Sequence, residues 1–300
     1  MEIIEASNLW KKFGRHAALR GLSFTVAEGN AFALIGANGA GKTTAIKILM
    51  NIIEPTRGTA RVLGVDSPRV SPQELAQIGY VSESQDPPEG LTVAEYIAYL
   101  RPFYEKWDRD YEGQLLKTFR LPLKRKISAL SHGMRMKLLL LCALVFRPKL
   151  LVLDEPFSGL DPLVRDEVLE ELARQAGEMT VLLSSHELSE IEGLATHVGF
   201  LESGQMRFAE SMGELMSRFR KVRVTLEGAT VPAAVPDDWL QMTASGNVLE
   251  FVATRYQEQE LGARIGAVCG VVRRVDTEPM GLRSIFTTMA RSAIEQGGEE

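Results

Sequence analysis

The fold is decided by residues 31–44, which read AFALIGANGAGKTT. The first five residues are apolar and are followed by Gly36, as in a strand that is buried on both faces. Ile46 and Leu49 then follow at helical spacing and predict a helix. A buried strand, a glycine-rich turn and a helix in this order predict a phosphate-binding loop at residues 36–43, within an α/β fold built on a mainly parallel sheet.

Each residue type in this loop suits an anionic ligand. Glycines allow successive backbone N–H groups to turn toward phosphate oxygens, and the start of the helix adds the positive end of its dipole. Lys42 supplies a mobile cation, and the Thr43 hydroxyl is an oxygen ligand of the kind that Mg²⁺ accepts. The residues predicted to bind the nucleotide here are Gly36, Asn38, Gly39, Ala40, Gly41, Lys42, Thr43 and Thr44. On its own, this loop also fits a kinase or a GTPase.

A second apolar run, residues 150–153, is followed directly by the acids Asp154 and Glu155. Open α/β sheets hold their ligands at the carboxyl ends of the strands, where these two side chains are predicted to lie. Asp154 can orient Mg²⁺ through water, and Glu155 can accept a proton from the attacking water. An isolated pair of acids would more simply cap a strand, so the catalytic interpretation depends on the neighbouring motifs.

Three further motifs flank these acids. Residues 130–134, Leu-Ser-His-Gly-Met, precede the acids and begin a long predicted helix. Residues 158–161, Ser-Gly-Leu-Asp, follow the acids, and His186 follows a third strand-like run at residues 180–183. Taken singly, the first motif fits a helix N-cap, and the histidine fits a hydrogen-bonded residue at a strand end.

In this order, the motifs resemble those of the ATP-binding cassette (ABC) ATPase family over about residues 1–217. The resemblance implies a P-loop NTPase fold with a helical signature subdomain at about residues 84–148. It also implies ATP and Mg²⁺ as cofactors. Two cassettes are then expected to face each other head to tail, so that each ATP lies between the phosphate loop of one subunit and the signature of the other.

The resemblance also assigns roles to individual residues. Glu155 is expected to be the general base, with His186 and Lys42 as further catalytic residues at the γ-phosphate. Phe13 matches the aromatic residue that stacks on adenine, although a single phenylalanine is more often part of a core. The signature residues expected to contact the ATP of the opposite subunit are Ser131 and Gly133, and the expected metal ligands are Thr43, Glu83 and Asp154.

The sequence departs from the family pattern at three positions. His132 replaces the first glycine of the signature, and Met134 replaces its glutamine. Glu83 occupies the position of a glutamine that touches Mg²⁺ in this family, with Gln85 two residues further on as an alternative. A carboxylate at this position can still bind Mg²⁺.

A second domain is predicted at residues 218–300. Apolar and polar residues alternate at 222–226, which predicts a strand. Strand-like runs at 248–252 and 271–275 and helical stretches at 257–266 and 281–290 complete a small α+β domain. Its basic cluster at residues 218–223 has two interpretations, a solvated face or a contact with an anionic membrane surface.

Composition narrows the possible classes of protein. The formal net charge is −5, which does not suggest a general nucleic-acid binder. The longest apolar run is residues 138–146, and a bilayer needs about 20 apolar residues, so no membrane span is predicted. No signal peptide is recognisable, and the two cysteines, Cys142 and Cys269, have no metal-ligand spacing. We expect a peripheral protein at the cytoplasmic face of the cell membrane.

These observations predict the ATP-hydrolysing subunit of an ABC transporter, which couples dimer closure to substrate movement through separate membrane subunits. Glu83 and residues 280–286 resemble those of cassettes that pair with ABC-2-type permeases, often exporters. The expected partners are therefore such a permease and a second ATP-binding subunit, homo- or heterodimeric, with no nucleic acid. The alternative is a soluble ABC ATPase that acts on ribosomes or DNA, but such chains usually carry two cassettes or a long coiled coil.

Overall fold

A computed structural model describes residues 1–175, 177–188, 191–228 and 235–297, with side chains described through residue 292. The chain divides into two compact units, Met1–Ala209 and Glu210–Glu300. This division lies upstream of the predicted boundary at residue 217, because helix Met212–Arg218 belongs to the second unit.

The first unit combines two sheets with six helices in its described part. Its strands are β1 (Glu2–Phe13), β2 (His16–Ala27), β3 (Ala31–Ile35), β4 (Arg57–Val62), β5 (Val65–Asp66), β6 (Ile78–Ser82), β7 (Leu150–Asp154), β8 (Thr180–Ser185), β9 (His197–Glu202) and β10 (Gln205–Ser211). Its helices are α1 (Lys42–Leu49), α2 (Pro72–Leu75), α3 (Val93–Leu100), α4 (Arg109–Thr118), α5 (His132–Leu144) and α6 (Pro162–Arg174).

The central sheet has the strand order β10-β9-β3-β8-β7-β6. β3 pairs in parallel with β8 and β9, and β7 pairs in parallel with β6 and β8. Every residue of β3, β7 and β8 is buried, as expected for parallel strands covered on both faces. The three strands predicted from their apolar runs are therefore confirmed, as is the α/β class.

A smaller antiparallel sheet, in the order β2-β1-β4-β5, shares a core with the central sheet. Its inward residues Ile4, Leu9 and Leu22 pack in one cluster with Ile46 and Leu49 of α1. The helix that follows the phosphate loop is therefore fixed by its apolar side, and its first residues stay at the sheet edge where a ligand can bind.

Helices α3, α4 and α5 lie within residues 84–148, where a helical insertion is predicted. Side chains cap each start: Thr92 accepts from the Glu95 N–H, Asp108 from the Tyr111 N–H, and Ser131 from that of the third residue of the signature helix. The predicted break near residues 102–108 is confirmed, because a 3₁₀ turn, Arg101–Phe103, separates α3 from α4. No helix within the described ranges combines the length and apolar character that a membrane crossing requires.

The second unit is an antiparallel sheet with helices. It contains α7 (Met212–Arg218), β11 (Arg220–Leu226), β12 (Trp239–Ser245), β13 (Val248–Ala253), α8 (Glu258–Cys269), β14 (Val272–Pro279) and α9 (Leu282–Gly297), with strand order β12-β13-β11-β14. β12 was not predicted, because its residues from Thr243 to Ser245 are all exposed and apolar and polar residues alternate only weakly along it. Much of the basic cluster is paired internally: Arg218 with Glu210, and Arg223 with Glu250.

Candidate active site

The phosphate loop joins β3 to α1 at the edge of the central sheet. Two of its glycines are sterically required. A Cβ at Gly36 would lie 2.2 Å from the Leu201 carbonyl oxygen, and a Cβ at Gly41 would lie 2.6 Å from that of Ala18. Gly41 also has a φ of 110°, which L side chains rarely adopt. The backbone at Leu201 and Ala18 therefore packs directly against the loop and leaves no room for a side chain at these two positions.

Lys42, the first residue of α1, turns its side chain back into the loop. Its Nζ donates to the Gly36 carbonyl oxygen at 2.7 Å and lies 3.0 Å from Oε1 of Glu155. The residue is only 5% exposed, so its charge is compensated almost entirely by protein groups. An anionic ligand in the loop would compete with Glu155 for this ammonium group.

Asp154 lies at the end of β7 and is almost completely buried. Its Oδ1 accepts hydrogen bonds from the Thr43 hydroxyl at 3.0 Å and the Ser184 hydroxyl at 2.7 Å. Burial raises the pKa of the Asp154 carboxyl, although these two hydrogen bonds act in the opposite direction, and the Glu155 charge raises the pKa further. A cation near Asp154 would therefore stabilise the ionised form of its carboxyl group.

Glu155 follows β7 with a φ of 52°, an uncommon conformation for a residue with a side chain. Its backbone N–H donates to the Ser184 hydroxyl at 3.0 Å. Oε1 is paired with Lys42, and Oε2 lies 2.7 Å from Nδ1 of His186. Two partners therefore orient the carboxylate beside the phosphate loop, as a positioned base requires.

A pocket of about 460 Å³ opens over the loop. Its lining residues are Phe13, His16, Ala18, Asn38, Gly39, Gly41, Lys42, Thr43, Thr44, Glu83 and Glu155. The Phe13 side chain is 51% exposed and lies outside the apolar core, with Nζ of Lys11 5.1 Å from its ring centroid. An exposed aromatic face beside a phosphate loop suits stacking on a nucleotide base.

Glu83 lies directly beside Asp154, just beyond the end of β6. Its backbone N–H donates to the Asp154 carbonyl oxygen at 3.0 Å, and its Oε1 accepts from the Ser158 hydroxyl at 2.8 Å. The side chain also lines the pocket. Gln85 is half-buried, and its Oε1 has no hydrogen-bond partner among the described residues.

The signature residues lie at the start of α5 and do not line this pocket. Ser131 accepts from the Met134 N–H at 3.3 Å, which makes Ser131 the N-cap of the helix. His132 Nε2 lies 3.0 Å from the Ser158 carbonyl oxygen. A Cβ at Gly133 would meet Val164 of α6 at 3.0 Å. Within one chain, Ser131 and Gly133 therefore serve helix structure and packing.

Three residues of the site, Ser184, His16 and Ala18, were not predicted from the sequence. Ser184 binds both acids, and the parallel register of β7 and β8 places it opposite Asp154. The hydroxyl residues at 184 and 185, directly after an apolar run, were the available signal, but using it requires knowing that these strands are neighbours. His16 lines the pocket from β2 and carries no motif.

The chain is similar to known proteins in sequence and in fold. A family sequence model described as ABC transporter matches residues 19–158. The chain is 33% identical over 224 residues to the bacitracin transport ATP-binding protein BcrA of Enterococcus faecalis, covering 73% of this chain and 72% of that protein. It is 28% identical over 260 residues to the ABC transporter ATP-binding protein YtrB of Bacillus subtilis (strain 168), covering 86% and 88% respectively. A solved structure of an ATP-binding subunit of an ABC transporter superposes with a TM-score of 0.66 at 30% identity, covering 72% of this chain and 92% of that one.

Proposed function

This chain belongs to the ABC transporter family of ATP-binding proteins, and we propose that it is the Mg²⁺-dependent ATPase subunit that powers export through a separate permease. As a member of this family it is an ATPase with the fold of the known cassettes. One observation carries the proposal: the Glu155 carboxylate is held between the ammonium group of Lys42 and the imidazole of His186 at the mouth of the phosphate loop.

The residues around Asp154 fit a magnesium ion. The Thr43 hydroxyl lies 3.0 Å from the carboxylate of Asp154, and both are oxygen donors of the kind that Mg²⁺ prefers. Glu83 lines the same pocket as Thr43 and can supply a third oxygen donor. We assign Thr43, Asp154 and Glu83 to the metal. When bound, Mg²⁺ neutralises charge that develops on the phosphates.

In hydrolysis, Glu155 acts as the general base. The phosphates of ATP replace Glu155 as the ionic partner of the Lys42 ammonium group, because they carry more negative charge than one carboxylate. Oε1 of Glu155 is then released to accept a proton from water. His186 keeps its contact with Oε2 and orients the carboxylate, and Phe13 stacks on the adenine ring.

Two subunits complete each site. Because Ser131 and Gly133 lie outside the pocket of their own chain, their helix start is available to the γ-phosphate of a second chain. Mixing Lys42→Ala and Ser131→Arg subunits leaves one composite site intact and one doubly changed. The mixture is expected to hydrolyse ATP faster than either variant alone. A mixture no faster than its components would contradict the head-to-tail dimer.

The proposed partner is a membrane permease, which the chain binds at the cytoplasmic face of the membrane. Tyr99 and Phe103 are 57% and 64% exposed and contact each other edge to face, which forms an apolar surface on the helical insertion that suits a protein partner. The similarity to a relative named Nod factor export ATP-binding protein I, 36% identical over 207 residues, supports export.

The direct test of this partner is purification of the tagged chain from detergent-solubilised membranes. A co-purifying polypeptide with about six apolar segments of spanning length is expected. Co-purification with ribosomes instead would favour the soluble alternative.

A further inference from the structure

The loop that carries Glu155 connects β7 to α6 and spans residues 155–161, here called the base-bearing loop. The loop is tight. The Ser158 N–H donates to the Glu155 carbonyl oxygen at 3.3 Å, and the Leu160 N–H donates to that of Phe157 at 3.1 Å. The Phe157 side chain is buried. The orientation of Glu155 therefore depends on how this whole loop is held.

Apart from the groups that contact Glu155 itself, two groups from other parts of the first unit bind the loop among the described residues, and both do so at Ser158. The Ser158 hydroxyl donates to Oε1 of Glu83 at 2.8 Å. On the other side, Nε2 of His132 lies 3.0 Å from the Ser158 carbonyl oxygen. Since a carbonyl oxygen can only accept, Nε2 carries the hydrogen in this contact. The loop is thus connected both to the residue after β6 and to the first turn of α5.

Both of these outside groups reach Ser158 through their side chains. His132 makes its contact with a ring nitrogen. Glu83 accepts the Ser158 hydrogen bond with a charged oxygen. Two side chains that lie far from Ser158 in the sequence therefore converge on one residue of the base-bearing loop.

We propose that Ser158 and His132 are positioning residues for Glu155, which together with Glu83 keep the base-bearing loop in one geometry during turnover. The proposal rests on the proposed function for the role of Glu155. Holding the loop from both sides matters most when Lys42 leaves Oε1 for the phosphates, because Glu155 then loses one of its two side-chain partners. Loss of either contact is expected to lower kcat rather than change the KM for ATP, because neither Ser158 nor His132 lines the nucleotide pocket.

The first test removes the Ser158 hydroxyl. Because the bond to Glu83 is partly exposed to solvent, Ser158→Ala is expected to lower kcat about threefold to tenfold with little change in the KM for ATP. Ser158→Thr keeps a hydroxyl and should restore most of the rate. Ser7→Ala, at an exposed serine of β1, is the matched control and should leave kcat unchanged.

Backbone hydrogen exchange without nucleotide provides a readout that does not depend on activity. Amides of residues 157–160 should exchange faster in both Ser158→Ala and His132→Ala than in the wild type. His132→Gln, which retains an N–H donor, should lie closer to the wild type. Unchanged exchange in both alanine variants would overturn the proposal.

A double substitution tests the link to Glu83. In a Glu83→Ala background the Ser158 hydroxyl has lost its acceptor, so Ser158→Ala should add almost no further loss of kcat. The same fold-loss in both backgrounds would overturn the proposal even if every variant is active. A wild-type protein that neither binds nor hydrolyses ATP would instead contradict the proposed function, so the two failures are distinguishable.

Discussion

The buried ammonium group of Lys42 is the main cation of the phosphate loop, and its partners are two carbonyl oxygens and Glu155. Lys42→Ala should weaken ATP binding by at least about 100-fold, because charge-assisted bonds to the phosphates are lost. Isothermal titration calorimetry measures this affinity. Lys149→Ala, at an exposed lysine, is the control and should bind as the wild type does. Normal affinity in Lys42→Ala would remove the phosphate-loop assignment.

The ionised carboxylate of the buried Asp154 is expected to lower the free energy of unfolding, although hydrolysis requires it. Its pKa is raised above 3.8 chiefly by burial, so the folded state disfavours the ionised form. The cost is fully present above the raised pKa, and it disappears as the pH falls through that value to below 3.8.

Asp154→Asn should therefore raise the free energy of unfolding at pH 7 while it abolishes Mg²⁺-dependent hydrolysis. Denaturant unfolding at pH 7 measures the stability, and Thr43 and Ser184 can still donate to the amide oxygen. A lower stability of Asp154→Asn at pH 7 would contradict this explanation of the pKa.

The sequence predicted which residues form the site better than it predicted the hydrogen bonds between them. The phosphate loop and both acids are recognisable because their chemistry needs those residues in that order. The His132–Ser158 contact was not predictable, since it joins residues far apart in sequence and depends on how α5 packs beside the base-bearing loop. Ser184 was missed for the same reason.

At the scale of elements, one side of α6 contacts the helical insertion through buried polar groups. Glu171 of α6 is 3% exposed and accepts from the Tyr111 hydroxyl of α4 at 2.9 Å. Glu167 of α6 also pairs with the buried Lys137 of α5. Such groups hold two helices in one relative position only while each has its partner.

Tyr111→Phe should lower the free energy of unfolding by about 1–3 kcal/mol, because a buried carboxylate loses one donor. Arg174 and Gln175 keep their contacts with Glu171, which limits the loss. Thermal or denaturant unfolding measures the change. Tyr99→Phe, at an exposed tyrosine, is the control and should cost less than about 0.5 kcal/mol. Equal stability of the two variants would contradict a structural role for this contact.

Elements with strong apolar patterns were predicted accurately, and elements with weak patterns were not. β3 and β7 are buried on both faces and read as continuous apolar runs. β12 is half-exposed and was not predicted. The end of β14 was predicted too early: its residues after 275 are mostly polar, although the strand continues to Pro279. A strand that is more completely buried has a stronger apolar pattern and is therefore easier to predict from the sequence.

All the residues that line the pocket over the phosphate loop belong to the first unit, because they lie between Phe13 and Glu155. A truncated chain that ends at Ala209 is expected to keep its ATP affinity within about threefold while its dimerisation or permease binding weakens. Calorimetry and co-purification measure the two properties. Loss of ATP binding in a folded truncated chain would contradict this division.

We propose that Glu155 is the general base of an ATP site that a second subunit completes. Glu155→Gln keeps the shape of the side chain but removes its basic oxygen, so hydrolysis should fall about 100- to 10,000-fold. ATP affinity should survive, because Lys42 and the loop amides remain. The closed dimer then cannot reopen through hydrolysis.

The most direct measurement is size-exclusion chromatography with light scattering of Glu155→Gln in the presence of ATP and Mg²⁺. The predicted result is a stable dimer that forms with ATP and not with ADP, together with the loss of turnover. A monomeric variant that hydrolyses ATP at nearly the wild-type rate would contradict the claim and leave His186 as the first candidate to position the water.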